Sequence, residues 1–150
     1  HPVTECVTGI DLIKEQIRIA AGKKLSYRQQ DVRIGGHAIE CRINAENPKE
    51  QFRPSPGLIT DVYFPGGKGV RIDTAVYNGY EVPAYYDSML AKLIVHAKTR
   101  KEAISKMRSA LGEVIIEGVD TNVDYQYEIM NHPDYQAGNV DIEFISEKMC

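Results

Sequence analysis

Apolar residues near the start of the chain recur at helical spacing. Ile10, Ile13, Ile17 and Ala20 fall on one face, and Leu12 and Ile19 widen the stripe. Thr8-x-x-Asp11 has capping-box spacing, so the pattern predicts a helix that starts at Thr8. Gly22, followed by Lys23-Lys24, supplies the stop, because glycine accepts the left-handed conformation and cations suit the last carbonyls. The polar stretch 26–36, closing on Gly35-Gly36, reads as a linker or domain boundary.

The period then changes to two. Ile39, Cys41, Ile43 and Ala45 point one way, while Glu40, Arg42, Asn44 and Glu46 point the other, which predicts a strand from His37 to Glu46. Asn47-Pro48 and Pro54-Ser55-Pro56-Gly57 break the chain. Leu58 to Phe64 is strand-like, Pro65-Gly66-Gly67-Lys68-Gly69 turns it, and Val70 to Thr74 returns as a hairpin partner. Met89 to Ala97 is the longest apolar strand, and Lys92 within it is either an edge-strand lysine, the favoured reading, or a buried one with a partner. Thr99-x-x-Glu102 opens a second helix carrying Ala103, Ile104, Met107 and Leu111. A short strand at Val114 to Ile116, a break at Gly118, a helix over Asn122 to Asn131 and a short helix after Ile142 complete the chain. The fold class is α+β, a mostly antiparallel sheet flanked by helices.

Composition narrows the function classes. The chain has 150 residues, 43% apolar and 26% charged, enough for about one domain with its own core. No apolar run approaches the ~20 residues of a membrane span, and the opening His1-Pro2-Val3-Thr4-Glu5 is unlike a signal peptide. Eighteen Lys+Arg against 21 Asp+Glu give a net charge of −3, which argues against nucleic acid as a partner. Cys6, Cys41 and Cys150 are widely spaced, with no zinc pattern, and read as buried or incidental thiols of a cytoplasmic protein. A start at His rather than Met and an end on Cys150 are the expected marks of a piece of a longer protein.

The most suggestive chemistry is the polar strand face of Glu40, Arg42 and Asn44, where a guanidinium could bind an anionic oxygen in a bidentate way. A solvated face of ordinary ion pairs is the competing reading. Asp87, just before the apolar strand, either bonds local backbone N–H groups or pairs with a cation such as Arg42. The glycines around Lys68 lack the phosphate-loop pattern and a following helix, so a tight turn explains them. Lys98, Arg100, Lys101, Lys106 and Arg108 read as a solvated helix face, and the four histidines show no triad partners.

Seven segments in order resemble the carboxyl-terminal part of biotin carboxylase: His1-Pro2-Val3-Thr4-Glu5, Thr8 to Gln16, Gly36 to Glu46, Pro54 to Gly57, Pro65-Gly66-Gly67, Tyr85 to Met89 and Gly118 to Asn122. The resemblance implies an ATP-grasp ligase that makes carboxybiotin from ATP, bicarbonate and biotin, as in bacterial acetyl-CoA carboxylase and fatty-acid synthesis. In that family carboxyphosphate breaks down to CO2 and phosphate, and deprotonated biotin attacks the CO2. Pyruvate, propionyl-CoA and urea carboxylases share the motifs. From another class, a non-catalytic module docking on a larger assembly through its sheet competes with this reading.

The resemblance further implies residues 1–35 as the end of an ATP-grasp domain and 36–150 as the carboxyl-terminal domain. Arg42 matches the arginine beside bicarbonate and the biotin ureido oxygen, and Asp87 an acidic supporting position. Ile142 matches an apolar contact to adenine, Arg71 an arginine of the dimer interface, and Lys68 an aromatic interface position. ATP with Mg2+ or Mn2+ and biotin are the implied cofactors, with no metal ligand in this segment. Biotin carboxyl carrier protein, carboxyltransferase subunits and a second copy are the implied partners. The family's catalytic glutamate, phosphate lid, ATP lysines and metal carboxylates precede His1, so this segment alone is expected to be inactive.

Overall fold

The computed structural model describes residues 1–149. Its centre is a three-stranded antiparallel sheet of β1 (His37–Asn44), β8 (Met89–Ala97) and β6 (Val70–Thr74), with β8 in the middle. Alternation along these strands gives the sheet two chemically different faces. Register pairs Cys41 with Leu93 and Leu93 with Ile72, and this apolar face is covered by α3 (Arg100–Glu113) and α4 (Val123–Asn131). Ile39, Cys41, Ile43, Leu93 and Val95 meet Ala103, Ile104, Met107 and Leu111 there in one continuous core. Burial pushes the Cys41 thiol up to about 12, so it stays protonated and unreactive at neutral pH.

The opposite face carries Glu40, Arg42, Lys92, Arg71 and Asp73. A short helix, α1 (Pro2–Thr8), lies across it and meets both β1 and β8. Ile94 sits on this otherwise polar face and is fully buried. Lys92 is therefore not at a sheet edge as expected. It occupies the central strand, between Arg42 on one side and Asp73 on the other.

A second, smaller core of Ala45, Ile59, Val82 and Leu90 packs where the main sheet ends. Around it run the two-residue pairs of β2 (Glu46–Asn47) with β3 (Arg53–Pro54) and of β4 (Gly57–Leu58) with β7 (Glu81–Val82). The expected hairpin of 58–64 with 70–74 does not form. Instead β5 (Asp61–Tyr63) pairs with β9 (Ile115–Glu117), while β6 joins β8. The turn chemistry at Gly67 and Gly69 is as expected, with φ of 124° and 77°, but it redirects the chain between two sheets.

Two helices replace the one expected at the start. Thr8 ends α1, and Asp11, not Thr8, caps α2 (Leu12–Ala20) by accepting from the Lys14 N–H at 2.9 Å. Pro2 and the left-handed Gly9 (φ 70°) delimit α1, whose seven residues are too few to show a helical period in the sequence. Thr99 caps α3 as expected, accepting from the Glu102 N–H at 3.2 Å. The cations of α3 are less solvated than expected, since Arg100, Lys106 and Arg108 are half-buried. The short helices α5 (Pro133–Ala137) and α6 (Phe144–Lys148) close the fold. Cys6 and Cys41 are free thiols, and Cys150 lies outside the described residues.

Gly118 has no room for a side chain. Its φ is 100°, and a Cβ there would stand 2.1 Å from the Leu58 carbonyl oxygen and 3.1 Å from the Thr60 nitrogen. Gly118→Ala should lower unfolding free energy by about 3 kcal/mol or more in urea titration. A loss below about 1 kcal/mol would contradict the close approach of the 57–60 and 117–118 segments.

Candidate functional site

The site begins with a defect in the sheet. The β1–β8 ladder loses register between Ile43 and Asn44. There the Asn44 N–H donates to Asn122 Oδ1 at 2.9 Å, and Asn122 Nδ2 donates to the Arg42 carbonyl at 3.1 Å. The Asn122 N–H in turn donates to the Asn44 carbonyl at 3.2 Å. Asn122 is only 5% exposed, so these bonds form out of water, where an unpaired amide is expensive. Gln126 Nε2 adds a longer contact to the Arg42 carbonyl at 3.4 Å. The start of α4 thus grips the backbone on which Arg42 is mounted.

Arg42 itself points outward. Its side chain is 67% exposed and its ion-pair partner is Glu40, Nε to Oε1 at 3.4 Å. A contact of this length at the surface leaves most of the guanidinium free for a ligand. Asp87 takes the local option: its Oδ1 accepts from the Met89 N–H at 2.7 Å. Asp87 and Arg42 are not paired among the described residues, although Asp87 lies just beyond the Asn44–Met89 pair at the same end of the sheet.

A polar junction ties these segments together. Glu46 accepts from the Ser88 hydroxyl and from Asn44 Nδ2 at 3.4 Å, and the Ala45 N–H donates to the Ser88 carbonyl at 2.8 Å. Asn44 Oδ1 is buried with no hydrogen-bond partner. Beside the junction, Tyr85 and Tyr86 are 93% and 82% exposed, bare aromatic rings on a loop next to Asp87.

Arg71 is held differently. Its guanidinium bonds both Asp73 oxygens at 2.8 Å and Glu5 Oε2 at 2.6 Å, which joins α1 to β6. Asp73 first, and then Glu5, stabilises its charge and raises its pKa further. Cys6 lies in this environment, where burial raises its thiol pKa despite the nearby Arg71. Lys68 is exposed, and its carbonyl accepts from Lys106 Nζ at 3.0 Å. Ile142 is 96% exposed just before α6.

Sequence reasoning singled out Arg42 and Asp87 but not the clamp. Asn122 entered only as the start of a helix and the last residue of a motif, and nothing in periodicity marks a side chain that bonds a strand some 80 positions away in sequence.

The carboxylate set needed for a metal is absent: no group of three or more His, Cys, Asp or Glu that could hold one occurs among the described residues. These residues hold no metal-ligand set of their own. They do fit an anionic oxygen, for which Arg42 offers an exposed, lightly paired guanidinium on a clamped strand.

Residues 40–147 match the family model of the biotin carboxylase C-terminal domain, and residues 1–28 match that of the carbamoyl-phosphate synthase L chain ATP-binding domain. The chain belongs to the biotin carboxylase C-terminal domain family. It is 56% identical over 149 residues to biotin carboxylase of Allochromatium vinosum, covering 99% of this chain and 33% of that protein. It is 52% identical over 147 residues to a pyruvate carboxylase subunit of Methanothermobacter thermautotrophicus, covering 98% and 30%. The crystal structure of the biotin carboxylase domain dimer of Hydrogenobacter thermophilus 2-oxoglutarate carboxylase, in complex with MgADP, ADP and bicarbonate, superposes with a TM-score of 0.96. That match has 49% identity and covers 98% of this chain and 32% of that one. The chain thus spans about a third of the length of the relatives it matches.

Asn122→Ala leaves the Asn44 N–H without its acceptor and the Arg42 carbonyl with only the longer Gln126 contact. It should cost about 2 kcal/mol in urea unfolding. A cost under about 0.5 kcal/mol would mean the clamp carries no load.

Proposed function

We propose that this chain forms one wall of the carboxylation site of an ATP- and bicarbonate-dependent carbon–nitrogen ligase acting on biotin. The observation that carries the proposal is Arg42, an exposed guanidinium on a strand whose backbone Asn122 clamps. A fixed cation aimed at an oxygen that gains charge during reaction lowers the barrier, because the donor needs no reorganisation. Bound ATP would supply the activation of bicarbonate, and the residues for that step belong to the rest of the protein. What the chain supplies is charge and placement. Arg42 holds an anionic oxygen, Glu40 keeps its side chain oriented, and Asp87 fixes the entry to β8 through Met89.

Residues 1–35 are the end of the ATP-grasp part and 36–150 the carboxyl-terminal domain, in keeping with the separate family matches at 1–28 and 40–147. Ile142, bare at the surface, packs on the adenine of ATP, whose magnesium or manganese is held upstream. Arg71, pre-ordered by Asp73 and Glu5, and the exposed Lys68 face a second copy of the protein. The exposed Tyr85 and Tyr86 border the entrance used by the biotin of a carrier protein. The product then serves carboxyltransferase subunits, in acetyl-CoA carboxylase of the cytoplasm and hence in fatty-acid synthesis. A pyruvate carboxylase is the second reading, since the pyruvate carboxylase relative is nearly as similar as the biotin carboxylases. No helix among the described residues is long and apolar enough to cross a membrane.

Arg42→Ala in the full-length protein should lower biotin carboxylation by about a hundredfold or more while ATP affinity changes little. Steady-state turnover with free biotin, beside a nucleotide titration, measures both. Turnover within about twofold of wild type would overturn the role.

A further inference from the structure

Outside the sheet face just described, α3 and α5 enclose an open concavity of about 560 Å3. Because α3 covers the apolar face of the sheet, this concavity lies on the far side from Arg42. Its α3 wall is built from Arg100, Lys101, Ser105 and Arg108, with buried Ile104 among them and Gln136 on the α5 side. Arg100, Ile104 and Arg108 stack at four-residue spacing, with Lys101 and Ser105 in the adjacent row, so the cations share one stripe of the helix. Among the described residues no carboxylate lines the concavity.

The positive charge here is uncompensated. Arg100 is fixed over the Tyr135 ring at 5.0 Å and donates to the carbonyls of Gln136 at 2.9 Å and of Tyr135, neutral partners that leave its charge intact. Arg108 is half-buried, and its Nε is out of water with no acceptor. Lys101 and Ser105 are exposed, and their side chains take part in no hydrogen bond or ion pair among the described residues. Arg100 and Lys101 also stand in the first turn of α3, where the helix dipole disfavours cations. Both the unpartnered donor and the misplaced charge are relieved by one change: an anion seated against the stripe.

We infer that this concavity binds the phosphate group of a small phosphorylated molecule, with Lys101, Ser105 and Arg108 as its donors and Arg100 bracing the wall. Guanidinium, ammonium and hydroxyl donors together match a dianionic group with several oxygens better than a single carboxylate. The volume is that of a small-metabolite site. The inference is independent of the carboxylation reading.

Calorimetric titration of the full-length protein with pyrophosphate tests it, at fixed ionic strength and with saturating ADP to occupy any nucleotide site. Wild type should bind pyrophosphate at least about tenfold more tightly than K101Q/S105A, and than R108Q. K101Q/S105A changes only exposed, unpartnered side chains, so it keeps the test valid even where R108Q disturbs packing. K98Q, outside the concavity, should match wild type. Equal affinity in K101Q/S105A, absence of binding to wild type, or malonate binding as tightly as pyrophosphate would each overturn the assignment.

Discussion

One buried amide holds the functional end of this domain. The side chain of Asn122 takes over where the β1–β8 ladder slips, bonding the Asn44 N–H and the Arg42 carbonyl at once. β1 is an edge strand, so the backbone groups on its outer side have no ladder partner and, where they are buried, need another one. Asn122 can do so because an amide carries a donor and an acceptor on one planar group. The Gly118 bend, which admits no Cβ, turns the chain back from β9 toward α4 and so delivers Asn122 to that place. Helix start, bulge and exposed arginine therefore form one unit.

The sheet serves two chemistries through simple alternation. Leu93 and Cys41 face the core under α3, while their neighbours Lys92 and Arg42 face the polar side. Charge on that side is largely accounted for: Arg71 has Asp73 and Glu5, and Arg42 has a single long contact to Glu40. The contrast matters. A guanidinium fixed by three short bonds is a structural fastener, whereas one held by a single 3.4 Å contact can exchange partners.

Much of this was legible in the sequence. The alternation of 37–45 and the apolar run of 89–97 gave the strands and their inward faces, and Thr99 marked the start of α3. What failed was partnership. The turn at 65–69 suggested a hairpin, yet β5 and β6 go to different sheets because β9 and β8 offer them longer-range partners. Lys92 read as an edge residue because lysine in an apolar run usually is one, and no local pattern reveals that its strand is flanked on both sides. The stripe of Ile13 and Ile17 was legible as amphipathic, but both remain more than half exposed on α2. Arg42 could be chosen from its strand face and from the family resemblance, while its clamp, a contact between distant segments, could not.

Native-state hydrogen exchange at the Asn44 amide tests the central claim most directly. If Asn122 secures the bulge, that N–H exchanges only through large-scale opening, with protection close to the global stability and comparable to Leu93 in the central strand. Exchange at the rate of the exposed 85–88 loop would show that the strand end is loose, and that Arg42 has no rigid mount.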